Sequence, residues 1–143
     1  MARWRSAAIE RLPELREIIA SAENVMALWS ELTAKFAAAY EAEPRDEDLI
    51  ARIYAYADWC ATAPRCNDAA NDPSTAVVIA FYEHIATIPA AREDMPRWFR
   101  FEEVADNRKI FCYLIGEREC ENLLAHMQRN RNRYVKRPPM TLS

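Results

Sequence analysis

Glu83 and His84 are the side chains of this sequence best suited to chemistry, because a carboxylate beside an imidazole can exchange protons near neutral pH. Both follow Tyr82, and at helical spacing Glu83 falls on a stripe of small residues that another helix could approach closely. A buried carboxylate needs a donor, and Arg97 is available. We therefore interpret Tyr82, Glu83 and His84 as a buried polar network. The alternative is a small-molecule enzyme using Glu83 and His84 for acid–base catalysis, which also requires a cleft and shifted pKa values.

Two tryptophans are candidates for a binding surface, although most aromatic residues fall on apolar stripes and are predicted to lie in the core. Trp59 adjoins a polar loop, and Trp98 lies between Arg97 and Arg100. An exposed tryptophan beside arginine is typical of a protein-binding hot spot. We predict an interaction surface that includes Trp59, Asp94, Arg97 and Trp98.

The C-terminal segment 129–143 is basic and contains no acidic residue. The formal net charge of −3 divides into −8 for residues 1–128 and +5 for this segment. Alternating guanidinium and amide groups suit phosphate contacts, but five charges are a modest attraction and the acidic remainder opposes them. We predict a mobile tail with nucleic acid as a less favoured partner. The alternatives are a solvated helix end and a tail folded back on the domain. Its basic residues are Arg129, Arg131, Arg133, Lys136 and Arg137.

The cysteines are predicted to be free thiols, because a chain without an export signal normally keeps its thiols reduced. Cys66 lies in a polar loop and is expected to be the most exposed of the four, which are Cys60, Cys66, Cys112 and Cys120. Zinc ligation by cysteine and histidine would require a spacing that this sequence lacks, since no C-x-x-C pair occurs. We predict no metal site.

Other chemistries are excluded by missing motifs. Gly116 is the single glycine, so the glycine-rich loops that cradle phosphates in nucleotide-binding proteins are absent, and no cofactor is predicted. Neither G-x-S-x-G nor H-E-x-x-H occurs. The N-terminal residues do not form a secretory signal, and the longest apolar run, 75–82, is too short to cross a bilayer. We expect a cytoplasmic protein.

The pattern of apolar residues predicts an all-α fold: a compact helical bundle of five to six helices forming one domain over residues 1–128. Asn24 and Asp46 are suited to cap two helices, and Asp72 followed by Pro73 starts an apolar helix at 73–88 that belongs at the centre. Run 110–115 fits a helix and an extended segment equally. The other predicted helices cover 9–22, 25–40, 47–60 and 120–127, while 90–99 is interpreted as a turn with a short helix and 101–105 as a further short helical segment.

A set of short motifs follows one order along the chain: Leu28-Trp29, Phe36, Ala39-Tyr40, Arg52-Ile53-Tyr54, Trp59-Cys60, Thr75-Ala76-Val77, Phe81-Tyr82-Glu83-His84 and Asp94-Met95-Pro96-Arg97-Trp98. With these motifs, the sequence resembles a family of small bacterial helical proteins known only as a domain of unknown function. The resemblance covers residues 12–125 and implies a compact helical domain without an assigned activity, so it supplies no catalytic residue.

These observations favour a non-enzymatic protein–protein interaction module. A small acidic helical domain is suited to cover a basic enzyme, because complementary charge speeds association, and we predict a cognate immunity protein that neutralises a bacterial toxin. The oligomeric state is left open, and no membrane partner is expected. The alternatives are a nucleic-acid-associated or regulatory protein that uses the basic tail and the enzyme described above.

Overall fold

The structure, a computed structural model, describes residues 1–135. These residues form α-helices joined by short turns, and none of them lies in a β-strand, which confirms the all-α class. The helices are α1 (Arg3–Arg11), α2 (Arg16–Ser21), α3 (Val25–Glu41), α4 (Glu47–Thr62), α5 (Pro73–Val77), α6 (Glu83–Ile85), α7 (Pro89–Trp98), α8 (Phe101–Asp106), α9 (Arg108–Phe111) and α10 (Gly116–Arg129). A π-helical turn, Val78–Tyr82, joins α5 to α6, and 3-10 turns cover Pro13–Leu15, Ala69–Asn71 and Arg131–Arg133.

The starts of α3 and α4 confirm two predicted caps. The Asn24 side chain accepts a hydrogen bond from the backbone N–H of Ala27 at 2.8 Å, and the Asp46 side chain accepts one from Leu49 at 3.2 Å. Each bond satisfies a backbone donor that the first helical turn leaves without an intrahelical partner. The apolar stripes of both helices are buried as predicted.

The prediction of five to six helices is wrong, because the backbone breaks helices that the sequence pattern runs together. Pro13, which lacks an N–H, starts a 3-10 turn between α1 and α2. A separate short helix, α9, follows α8 after Asn107, where the sequence left helix and extended segment equally open. The run 110–115 is neither one helix nor a strand, since α9 ends at Phe111 and turns lead to Gly116, whose φ of 82° suits glycine. The bundle arrangement remains a prediction.

The chain divides into two compact units, Met1–Phe81 and a second that begins at Tyr82. In the first unit α4 packs against α1, α3 and α5. Its core is aromatic: the Trp29 ring stacks on Tyr56 and Phe81 with centroids 5.3 and 4.8 Å apart, and Phe36 meets Phe81 edge-on at 4.8 Å. All four rings are fully buried. The single domain predicted over residues 1–128 remains a prediction.

The apolar helix predicted at 73–88 contains the π-helical turn and is shorter than expected. It starts at Pro73 after Asp72, as predicted, but α6 ends at Ile85, and Pro89 begins α7 instead of closing the preceding helix. A π turn shifts the helical hydrogen-bond register and leaves a carbonyl without its usual partner. Within this turn, the carbonyl of Ala80 accepts a hydrogen bond from the hydroxyl of Thr33 at 2.6 Å.

The second unit has its own aromatic core. The rings of Tyr82, Phe99 and Phe111 are buried, with centroids between 4.9 and 6.1 Å apart. α10 packs against α7 and α8, and α6 packs against α9. Within the described part of the chain, no single helix is both long and apolar enough to cross a membrane, although the bent pair Pro73–Ile85 and Pro89–Trp98 together meets that test of length and composition.

Candidate functional site

The predicted interaction residues belong to different units. Trp59 lies in the first unit, and Asp94, Arg97 and Trp98 lie on α7 of the second. The expectation that Trp98 is exposed is wrong: the residue is 9% exposed, and its indole N–H donates to Asp94 Oδ2 at 3.2 Å. Positions four apart on a helix are neighbours, so one turn of α7 is enough to bring these two groups together.

Asp94 is a buried charge and organises this part of α7. It is 3% exposed, and its carboxylate accepts hydrogen bonds from Arg97 Nη1 at 3.0 and 3.2 Å as well as from Trp98. The Arg97 guanidinium also lies over the Trp98 ring, 5.3 Å from its centroid. A buried carboxylate is tolerated only when it is paired. We therefore interpret the contacts among Asp94, Arg97 and Trp98 primarily as stabilising α7.

The described part of the basic tail folds back on the second unit. Arg129 ends α10, Arg131 Nη2 lies 2.9 Å from Glu102, and Arg133 reaches both Glu93 at 3.3 Å and Asp94 at 3.4 Å. The tail predicted to be mobile from residue 129 therefore contacts helices α7 and α8 through residue 135, where the N–H of Val135 donates to the carbonyl of Arg97 at 2.9 Å. The carboxylates of α7 and α8 attract these cations. Lys136 and Arg137 lie outside the described residues.

The proposed network at Tyr82, Glu83 and His84 is only partly buried. Tyr82 is fully buried, whereas Glu83 and His84 are half-buried. Burial raises the pKa of Glu83, although the neighbouring His84 acts in the opposite direction. Arg97, the partner expected for Glu83, is bound to Asp94 instead, and Glu83 makes no ion pair with the residues that the structure describes.

The prediction of four free thiols is wrong, because Cys112 and Cys120 form a disulfide. The turn between α9 and α10 brings their Cα atoms to 5.3 Å, within the range that a disulfide spans. This turn exposes Tyr113 and Leu114, which are 68% and 46% exposed. Cys60 is fully buried and accepts a hydrogen bond from the indole N–H of Trp29 at 3.4 Å, and burial raises the pKa of its thiol to about 12. Among residues 1–135, no three potential metal-ligating side chains converge.

A pocket of about 250 Å³ lies beside Trp59 in the first unit. Its walls are mainly apolar and include Trp4, Trp59 and Pro73, while Arg3, Cys66 and Asn71 contribute polar groups. Cys66 is exposed, as the sequence predicts. The sequence indicated that Trp59 adjoins a polar loop but gave no sign of a pocket, because the first helix and the loop meet there only through folding. We call this cavity the Trp59 pocket.

A second feature that the sequence pattern missed is a depression between α2 and α3, with a volume of about 410 Å³. We call it the acidic groove. Ile18, Ala22 and Ala27 are half-buried within it, and the exposed residues Glu23 and Glu31 contribute carboxylates. The alternation of apolar and acidic residues was visible in the sequence, but it indicated only helices with one solvated face.

Arg5 of α1 fixes one wall of the acidic groove by hydrogen bonds. The Arg5 guanidinium donates to three carbonyl oxygens at the C-terminal end of α2, those of Ile19 at 2.5 Å, Ala20 at 3.0 Å and Ala22 at 3.1 Å. A cation is favourable at this end of a helix, where carbonyl groups lack intrahelical partners. The groove is therefore formed before any partner binds.

Comparison with known proteins finds no matching family, no matching curated protein and no matching solved structure.

Proposed function

We propose that this protein acts by binding another protein and that the first unit presents its acidic groove to a basic partner. The observation that carries the proposal is the pair Glu23 and Glu31, which stand beside an apolar floor and form no ion pair with the described residues. Lysine and arginine combine an apolar stem with a charged end, so they match both parts of this surface. A basic side chain would lie over Ile18 and place its charge between the two carboxylates.

The charge of the whole first unit supports the same partner. Residues 1–81 contain thirteen Asp and Glu against eight Lys and Arg, a formal net charge of −5. The field outside this unit is therefore negative, which steers a cationic protein toward it.

The more specific proposal is that the partner is a toxin and the protein its cognate immunity protein. The support is the combination of an acidic surface, a preformed groove and a sequence without catalytic motifs. Membership of the bacterial family named above and a cytoplasmic location are part of this proposal. Disulfides are rare in reducing compartments, so the Cys112–Cys120 disulfide argues against the cytoplasmic part of this proposal. Measuring whether these two cysteines are bonded in cells tests that part.

The test is affinity capture from a lysate of the source organism with two charge-matched variants. Glu23→Lys/Glu31→Lys reverses the groove, and Glu41→Lys/Glu43→Lys makes the same change in net charge at exposed positions elsewhere in the first unit. We expect a basic protein, identified by mass spectrometry, to be retained by wild type and the second variant and lost by the first. Equal retention by both variants, or equal loss, would contradict a role for the groove.

A separate measurement tests the toxin. A gene for a basic toxin next to this one, and loss of that toxin's activity on adding one equivalent of this protein, would support immunity. If the captured partner remains fully active in the complex, the immunity proposal is wrong while the groove proposal stands.

A further inference from the structure

The Trp59 pocket has a rigid aromatic wall. The Trp59 ring lies parallel to Tyr56, with 8° between the planes and 6.0 Å between centroids, and Tyr56 in turn stacks on Trp29. The Tyr56 hydroxyl donates to the backbone carbonyl of Trp4 at 2.9 Å, which ties the second tryptophan of the pocket to the same column. Stacked rings held by a buried hydrogen bond do not need to be ordered when a ligand binds, and this lowers the entropic cost of binding.

The loop on the other side of the pocket is fixed by a buried carboxylate. Asp72 is 1% exposed and accepts hydrogen bonds from Thr75 Oγ1 at 2.6 Å, Arg65 Nε at 3.0 Å and the backbone N–H of Cys66 at 3.2 Å. These bonds tie the loop that carries Cys66 to the start of α5. Both sides of the pocket are therefore held by contacts that lie outside it.

The polar groups of the pocket decide the charge of a ligand. Arg3 is exposed, lines the pocket and makes no ion pair with any residue in the described part of the chain. No acidic side chain is among the lining residues. A guanidinium in this setting favours a carboxylate, which it can bind through two parallel hydrogen bonds.

The volume of the pocket and its wall residues indicate what the uncharged part of a ligand is. A volume of about 250 Å³ corresponds to roughly eight waters at liquid density, which is enough for one ring with a short substituent. Tryptophan surfaces favour a flat aromatic ring, which can stack on them or meet them edge-on. We infer that the Trp59 pocket is a binding site for a small aromatic carboxylate, whose ring contacts Trp59 and whose carboxylate pairs with Arg3.

Cys66 supplies a direct readout of occupancy. It lines the pocket and is the one exposed free thiol, because Cys60 is buried and Cys112 is bonded to Cys120. A molecule in the pocket should shield Cys66 from an alkylating reagent such as iodoacetamide. The alkylation rate of the intact full-length protein can therefore be followed as a ligand is added.

The experiment compares three probes: phenylacetate, 2-phenylethylamine, which carries the opposite charge on a similar skeleton, and acetate, which lacks the ring. Titration extends to about 10 mM, so that binding with a Kd in the millimolar range is also detected. We expect phenylacetate alone to slow alkylation of Cys66 in a saturable way. No protection by phenylacetate, or equal protection by the amine, would overturn the inference.

Two arginine variants locate the carboxylate. Arg3→Gln should weaken protection by phenylacetate about tenfold, because one charge-assisted pair is lost. Arg16→Gln removes an exposed arginine that does not line this pocket and should leave protection unchanged. Circular dichroism and urea denaturation show whether each variant keeps the native fold, and protection is compared with the alkylation rate of the same variant without ligand. Full protection in a folded Arg3→Gln protein would contradict the assigned role of Arg3.

Discussion

Arg133 and Asp94 are separated by 39 positions in the chain, yet Nη2 of Arg133 lies 3.4 Å from Oδ1 of Asp94. The same carboxylate binds Arg97 and the indole of Trp98, so one buried acid joins the C-terminal segment to α7. Three donors around one carboxylate compensate for its removal from water. Asp94 therefore links α7 to the segment that follows α10.

Replacing Asp94 with alanine should destabilise the second unit strongly. The change removes an acceptor shared by the Trp98 N–H and two guanidinium groups, and a loss of about 2–3 kcal/mol in the free energy of unfolding is expected. Urea denaturation followed by tryptophan fluorescence measures it. Asp106→Ala, at an exposed position, is the control and should change stability by less than about 0.5 kcal/mol. Equal effects of the two variants would show that the Asp94 cluster contributes little.

The pairing of the tail arginines bears on nucleic-acid binding. Arg131 and Arg133 are engaged by Glu102, Glu93 and Asp94, so their charges are partly compensated within the protein. We expect gel-shift titrations at about 150 mM salt to show no binding of duplex DNA or RNA, with or without residues 129–143. Binding that weakens steeply with salt and disappears on truncation would instead favour the nucleic-acid alternative.

Local signals in the sequence predicted most of the helices of the first unit. Asn24 and Asp46 mark the starts of α3 and α4 because capping depends on residues three positions apart, which adjoin in any helix. Helical periodicity likewise identifies buried faces without knowledge of the partner helix. The break at Pro13 had a signal in proline itself, but the π turn had no local signal, and Ala80 within it is contacted by Thr33, 47 positions away in the chain.

The site residues were harder to predict because their environments are set by contacts distant in sequence. Trp98 has arginines as neighbours in the chain and was therefore expected at the surface, yet Asp94 one turn earlier binds its indole N–H. The four-residue spacing of Asp94 and Trp98 could have predicted this hydrogen bond, because positions four apart are neighbours on a helix. No comparable signal placed Arg3 and Trp4 beside Trp59, which lies far along the chain.

The thiols give a prediction that requires no ligand. Without a reductant, Ellman's reagent should titrate one thiol per chain in the native protein, Cys66, and two after denaturation, when Cys60 is exposed. After reduction and denaturation, four thiols should react. A value of four in the denatured, unreduced protein would show that Cys112 and Cys120 are not bonded.

Reduction should also weaken the turn that the disulfide closes. Closing a loop of nine residues stabilises a protein by about 2–3 kcal/mol in the chain-entropy account. We expect dithiothreitol to speed chymotrypsin cleavage after the exposed Tyr113, and Cys112→Ser/Cys120→Ser to show the same faster cleavage without reductant. Cys66→Ser is the control, because Cys66 is a free thiol in the first unit. Cleavage at an unchanged rate in the double variant would argue that the disulfide does not constrain this turn.

Asp72 should make the first unit sensitive to acid. Burial alone raises the pKa of Asp72, but hydrogen bonds from Thr75 and Cys66 and the charge of Arg65 outweigh it and lower the pKa below its usual value. Its stabilising contribution is therefore present above the pKa of the unfolded chain and is lost as pH falls through the folded value. Asp72→Asn should cost about 1–3 kcal/mol at pH 7 and progressively less toward low pH, as measured by urea denaturation. Glu41→Gln, an exposed control, should show neither effect.

Glu83 should have the opposite dependence on pH. Burial raises its pKa above the unfolded value, so its contribution to stability is fully present at low pH and is lost as pH rises through the folded pKa. We expect Glu83→Gln to have a higher Tm than wild type at pH 7, with the difference vanishing below about pH 4, near the ordinary pKa of glutamate. Glu117→Gln, which is exposed, should match wild type throughout. A lower Tm for Glu83→Gln at pH 7 would mean that the ionised carboxylate is stabilising, contrary to the raised pKa. A carboxyl that is retained for catalysis lowers stability but is needed for activity. If Glu83→Gln raises the Tm and no activity or ligand binding is lost, the acid–base alternative has no support.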